Sequence, residues 1–282
     1  MLFFILVMLV LPWLLNPLLG RLWDAMHLEE TLNAATTAFG EATLFITTLI
    51  ATAIFARYER KRIDGYGLPI GRAFGPRTWE GVAAGIAMAA FVAAGMLLMG
   101  GMQIRGFATT GAGLGISALA WLGANIVVGV AEEFCFRSYL LQTLWKSVGF
   151  WPAAAVTTAI FVALHYFFKP GENIQDVITL TGLSLLLCYT VLRTGTLWFA
   201  VGLHVAFDYM QFFVIGTPNG GQIPAGRMLD VVFQGPEWLT GGTLGTEASL
   251  LMYPAIALLW VYIVFRYRAA PAWHPDSTTS VE

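Results

Sequence analysis

Apolar residues run through this chain in long blocks separated by short polar breaks, and the blocks are too long for most soluble helices. A helix needs about 20 mainly apolar residues to cross a bilayer, with a range of about 17–25. Eight stretches qualify, at about 2–19, 36–56, 79–103, 115–145, 150–168, 177–192, 197–215 and 247–265. The pattern predicts an all-α polytopic membrane protein with about eight transmembrane helices. The first stretch has no basic region ahead of its apolar core and no small-x-small cleavage pattern near Leu19, so it reads as a span and not as a secretory signal. The fourth is longer than a bilayer requires, and the sixth is short.

Composition agrees with the pattern. Of 282 residues, 57% are hydrophobic and 11% charged, and the mean hydropathy is +0.71. These values exclude an ordinary soluble domain. A net charge of −2 without a large basic cluster gives no sign of a nucleic-acid partner, and none is expected. Cys135 and Cys188 both fall in apolar segments and read as buried thiols.

The basic residues are distributed unevenly between the two ends of the predicted bundle. Arg57, Arg60, Lys61, Arg62, Arg72 and Arg77 follow the second span, and Lys146, Arg193, Arg266 and Arg268 fall at the same end. The opposite end holds Arg21, Arg105, Lys169 and Arg227, and it is richer in acid, with Asp24, Glu29, Glu30, Glu41, Glu172 and Asp176. The positive-inside rule then predicts a multi-pass protein with both termini in the cytoplasm, and an even number of spans agrees. Four regions are expected: N-terminal helices with a basic cytoplasmic loop over 1–114, a central helical core over 115–215, an external loop and last helix over 216–270, and a polar tail over 271–282 with no fixed structure. The 216–246 connection is long and rich in Gly and Pro, as lids, re-entrant pieces and mobile loops are.

Once the loops are set aside, the ionisable residues left in the central spans are Glu132, Glu133, Arg137, His165, His204 and Asp208. Charges at bilayer depth cost several kcal/mol each, so they mark function and call for partners. At 100° per residue, Glu133 and Arg137 lie about 40° apart on one helical face, the spacing of an ion pair. Glu132 lies about 140° from Arg137 and is aimed elsewhere. Glu133 and Arg137 therefore read as a structural brace and Glu132 as the free carboxylate. His204 and Asp208 share a face at the same spacing, and Phe161 precedes His165 by one turn. At 1.5 Å per residue, Glu132, His165, His204 and Asp208 fall about 12–22 Å from the basic end of their spans. They can converge, at a depth that predicts a site open toward the cytoplasmic leaflet. Taken alone, either histidine reads as a polar contact between helices and Phe161 reads as packing; matching depths on three helices favour a site.

The ordered set Glu132-Glu133-x-x-x-Arg137, Phe161-x-x-x-His165 and His204-x-x-x-Asp208 resembles the CPBP family, the CAAX proteases and bacteriocin-processing (Abi) enzymes. The approach Arg193-Thr194-Gly195-Thr196-Leu197-Trp198, leading to Gly202-Leu203-His204, is similar as well. The resemblance covers about 118–212 and makes 115–215 a CPBP/Abi-like catalytic core.

The resemblance implies an intramembrane endopeptidase that hydrolyses a peptide bond of a membrane-associated or lipid-modified peptide or protein. It implies that Glu132 activates water with help from His165, while His204 and Asp208 handle the oxyanion or bind metal. The set Glu132, His165, His204 and Asp208 has the ligand types of a divalent-metal site such as Zn²⁺; a glutamate-activated water without a firmly held metal is the other expectation. Prenyl-protein endopeptidases typically carry Asn at the last motif position. An ionised Asp208 is acceptor-only, so a direct oxyanion role for it is in question. The competing readings are an inactive membrane immunity or scaffold protein and a proton-coupled transporter; the chain lacks the inverted repeat and paired broken helices of the latter. Short loops favour a bacterial inner membrane.

Overall fold

A computed structural model describes residues 2–270 and 272–275. Among the described residues, ten α-helices form one bundle: α1 Leu2–Ala25, α2 Ala34–Tyr58, α3 Pro76–Leu98, α4 Gly111–Cys135, α5 Leu141–Val148, α6 Phe150–Phe168, α7 Ile174–Thr194, α8 Trp198–Asp208, α9 Glu237–Thr240 and α10 Met252–Arg266. Eight segments are long and apolar enough to cross a bilayer; Gly111–Val148 counts once, and the last runs Gly242–Arg266. The protein is an all-α polytopic membrane protein, as the hydrophobic pattern predicts.

Several boundaries differ from expectation. The third span ends at Leu98, because residues 102–107 leave the helix as strand β1 (Met102–Phe107). Strand β1 pairs antiparallel with β2 (Leu229–Phe233), from Met102 opposite Phe233 to Phe107 opposite Leu229. The short sixth span grows to 21 residues, starting where the Asn173 side chain caps the amide of Asp176. The 216–246 connection is an ordered platform: Ala225 bonds Leu32, Gly221 bonds Thr243, and β2 bonds β1. Of the tail, 271 and 276–282 lie outside the described residues. Trp273 is docked, its amide donating to the Leu192 carbonyl and its ring 5.7 Å from Trp145.

Small residues set the closest packing. α3 lies along α8 and α2 along α4. A Cβ on Gly81 or Gly85 would run into the carbonyl of Phe199 or Leu203, and one on Gly202 into that of Thr78. Without water to drive association, such backbone approach supplies van der Waals contact between membrane helices. It fixes α8, which carries His204 and Asp208. On α2, Thr47 and Thr48 return their hydroxyls to the carbonyls of Thr43 and Leu44, so the buried helix face leaves neither donor unpaired.

Two π-helical turns lie beside the sequence motifs. Phe136–Leu140 follows α4 and contains Arg137, and Tyr209–Ile215 follows Asp208 directly. Such bulges widen a helix by one residue and recur at functional sites.

Candidate active site

The last turn of α4 presents Glu132 and Glu133 on different sides. Glu133 and Arg137 form a buried ion pair, Oε1 to Nη1 2.9 Å. Arg137 continues into the bundle: Nη2 donates to the Ser184 hydroxyl of α7 at 2.8 Å, and its guanidinium sits 5.2 Å from the centre of the Phe161 ring of α6. One buried cation thus ties α4, α6 and α7 together.

Glu133 also does more than pair with Arg137. The same Oε1 lies 3.0 Å from Nδ1 of His204. A carboxylate only accepts, so Nδ1 carries the proton and donates it, leaving Nε2 to face away from Glu133. That nitrogen is flanked by Glu132 Oε2 at 3.6 Å and Asp208 Oδ2 at 3.5 Å. The expected His204–Asp208 couple is present, but through Nε2; the other ring nitrogen belongs to Glu133.

His165 stands apart. Its Nδ1 bonds the Phe161 carbonyl at 3.0 Å, and its ring lies 4.3 Å from that of Phe161. It lines the same cavity as Glu132, His204 and Asp208, yet among the described residues no hydrogen bond or ion pair joins it to them. The four ligands expected of a metal site are therefore not gathered: among the described residues no three His, Cys, Asp or Glu side chains form a group that could hold a metal ion. These side chains do not fit one.

The cavity has a volume of about 1160 Å³. It brings in two acidic residues that the sequence reading left outside the site. Glu41, read as part of the acid-rich end, lies within α2, lines the cavity, and stands within electrostatic reach of Glu132, His204 and Asp208. Its Oε2 is buried with no hydrogen-bond partner among the described residues. Glu247 lines the cavity from the start of the last span and pairs with Lys169 at 2.7 Å. A lone carboxylate inside an apolar span was the available signal for Glu41. For Glu247 there was none, because it sits where the long connection meets the last helix.

Lys169 lies between α6 and α7 at the cavity rim, with Glu172 at 3.4 Å as its second partner. Burial pulls its pKa down, but Glu247, Asp176 and Glu172 outweigh that and hold it above the usual lysine value.

The expected opening toward the basic end is not what forms. There, Phe4 stacks on Tyr139 at 4.7 Å, Phe55 and Tyr66 close around the same ring at 5.3 and 5.5 Å, and the Tyr66 and Tyr139 hydroxyls both donate to Glu59 at 3.0 Å. Phe4, Tyr66 and Tyr139 are all buried. The cavity instead reaches the other end, where exposed Glu30, Thr31, Pro170 and Gln222 border it.

Fold and site together define a multi-pass membrane protein with a carboxylate–imidazole–carboxylate group at the wall of a cavity between its helices. Residues 114–210 match the family model described as type II CAAX prenyl endopeptidase Rce1-like. That segment is about a third of the chain and contains all three motifs that resemble the CPBP proteases. At the level of the family, the match supports a CAAX-protease-like intramembrane endopeptidase. No curated protein and no solved structure matches the chain.

Proposed function

We propose that the protein hydrolyses a peptide bond of a membrane-associated or lipid-modified peptide, with Glu132 as the base that activates water. The observation that carries this reading is the His204 ring, held through Nδ1 by Glu133 and flanked at Nε2 by Glu132 and Asp208. Of the two α4 carboxylates, Glu132 is the one that no lysine or arginine among the described residues pairs with, and it is partly open to the cavity.

In the reaction, Glu132 takes a proton from water as the water oxygen adds to the scissile carbonyl carbon. His204, held through Nδ1–H by Glu133, carries a second proton on Nε2 between the Glu132 and Asp208 carboxylates and donates it as a hydrogen bond to the carbonyl oxygen as its charge develops. The proton taken by Glu132 then passes to the leaving nitrogen, the C–N bond breaks, and a carboxyl and an amine product leave. His165 assists from the cavity wall. Asp208 acts through its contact with the His204 ring, since an acceptor-only carboxylate does not stabilise an oxyanion directly. The uneven charge distribution supports an orientation with both termini cytoplasmic.

The test is cleavage of a bilayer-anchored peptide by protein reconstituted in liposomes. Glu132→Gln is expected to reduce cleavage by about 10²–10⁴-fold, the usual contribution of a positioned general base, with an unchanged unfolding profile. Cleavage kept by Glu132→Gln overturns the assignment of the base. No cleavage by the native protein, for any anchored peptide, favours the inactive scaffold.

A further inference from the structure

The two ends of the bundle differ in two independent ways, and the differences coincide. One end carries ten of the basic residues, and there Phe4, which lines the cavity, packs with Phe55, Tyr66 and Tyr139 over the Glu59 carboxylate. At the other end the cavity meets exposed residues of three connections: Glu30 and Thr31, Pro170, and Gln222. These connections are tied into one rim, since Gln222 accepts from the Leu32 amide at 2.7 Å and Ala225 bonds the Leu32 carbonyl at 2.9 Å. Lys169 and Glu247 brace the rim between α6 and the last span.

Basic loops stay on the cytoplasmic side, because Lys and Arg flanking short loops resist translocation. The basic end is then cytoplasmic and the open rim is not. We infer that the cavity takes its substrate from the non-cytoplasmic side: a peptide anchored in the membrane that presents its cleavable bond at the outer face. The flank of the cavity suits the anchor. Ile5 and Met8 of α1 and Ile160 and Leu164 of α6 all line it, an apolar wall that can border hydrocarbon, whereas polar backbone must stay where water or protein meets it. The peptide reaches Glu132 from the rim, and its anchor stays in the bilayer beside α1 and α6.

This inference rests on the hydrolase reading only for what enters; the side of entry is tested without catalysis. Cys135 lines the cavity and Cys188 is buried, so both are replaced by Ala and the cysteine-free chain serves as the blank for a membrane-impermeant maleimide. Ile223→Cys marks the rim end, Ser147→Cys the basic end, and Glu41→Cys the cavity. In intact cells stripped of their outer layers, Ile223→Cys and Glu41→Cys are expected to label and Ser147→Cys to stay silent; in inverted vesicles the pattern reverses. Labelling of Glu41→Cys only from the cytoplasmic side overturns the inference. A second arm offers the full-length protein, in liposomes oriented by those labels, an anchored peptide on either face. Cleavage confined to the Ile223 face supports the inference, and cleavage confined to the Ser147 face overturns it. Outside labelling of Glu41→Cys with no cleavage on either face upholds the side of entry and sinks the hydrolase reading instead.

Discussion

Oε1 of Glu133 lies 3.0 Å from Nδ1 of His204, and the contact joins α4 to α8 at the wall of the cavity. Because the same oxygen holds Arg137 at 2.9 Å, the brace of the bundle and the orientation of the histidine share one carboxylate.

That sharing separates stability from activity. Glu133→Ala leaves Arg137 buried and unpaired and is expected to cost about 3–5 kcal/mol, the usual penalty for stranding one partner of a buried pair. Denaturant unfolding in detergent measures it. The double replacement Glu133→Leu with Arg137→Met removes both charges and is expected to recover much of the stability but none of the cleavage, because His204 is still unclamped. Activity returning with stability would contradict the second role of Glu133.

Glu41 gives an opposite expectation. A buried carboxylate oxygen without a donor costs about 1–3 kcal/mol, and Oε2 of Glu41 is such an atom. Glu41→Gln supplies an amide donor beside Glu132 and Asp208. It is expected to raise the unfolding midpoint, and a drop of the same size would reveal a partner that stabilises the carboxylate.

At the rim, Lys169→Met removes the charge facing Glu247 and Glu172. The expected loss is about 1.5–3 kcal/mol, the range for a hydrogen bond between charged groups. The lysine is raised in the folded protein, so its contribution is complete below the unfolded value of about 10.4 and fades only at higher pH, above that value. The stability difference between native and Lys169→Met protein should therefore stay flat from pH 6 to about 9. A difference that shrinks within that window would mean that Lys169 is not held by its acidic neighbours.

Helix packing supplies a fourth test. Ala is favoured over Gly within a helix by about 1 kcal/mol, yet a Cβ at Gly85 would meet the Leu203 carbonyl. Gly85→Ala is expected to lower both stability and cleavage by displacing α8. Gly123→Ala, where nothing lies within 4 Å, is the control and should be neutral or stabilising.

Much of the site was legible in the chain because helical spacing is local. The Glu133–Arg137 pair, the His204–Asp208 couple and the Phe161–His165 contact all follow from residues four apart on one helix. The side of Glu132 that faces away from Arg137 follows from the same geometry. The contact of Glu133 with His204 did not, since it spans 71 residues and depends on how α4 and α8 are rotated toward each other. Glu41 had a local signal, a lone carboxylate inside the 36–56 span, but which groups it meets depends on how α2 packs in the bundle. The β1–β2 pair, drawn from 102–107 and 229–233, lies in stretches that read as the end of a span and a loop.

By itself, the sequence determined the class of protein, the number of spans, the three motifs and the face of each helix on which they lie, because bilayer thickness and the helical period act on neighbouring residues. Only the tertiary structure decided which faces meet, that Glu133 serves both Arg137 and His204, that Glu41 and Glu247 enter the cavity, and that an aromatic cluster packs at its basic end. Those outcomes depend on backbone approach at Gly81, Gly85 and Gly202 and on rings brought together from α1, α2 and the turn after α4. Packing between distant segments is a property of the whole bundle, and no window along the chain contains it.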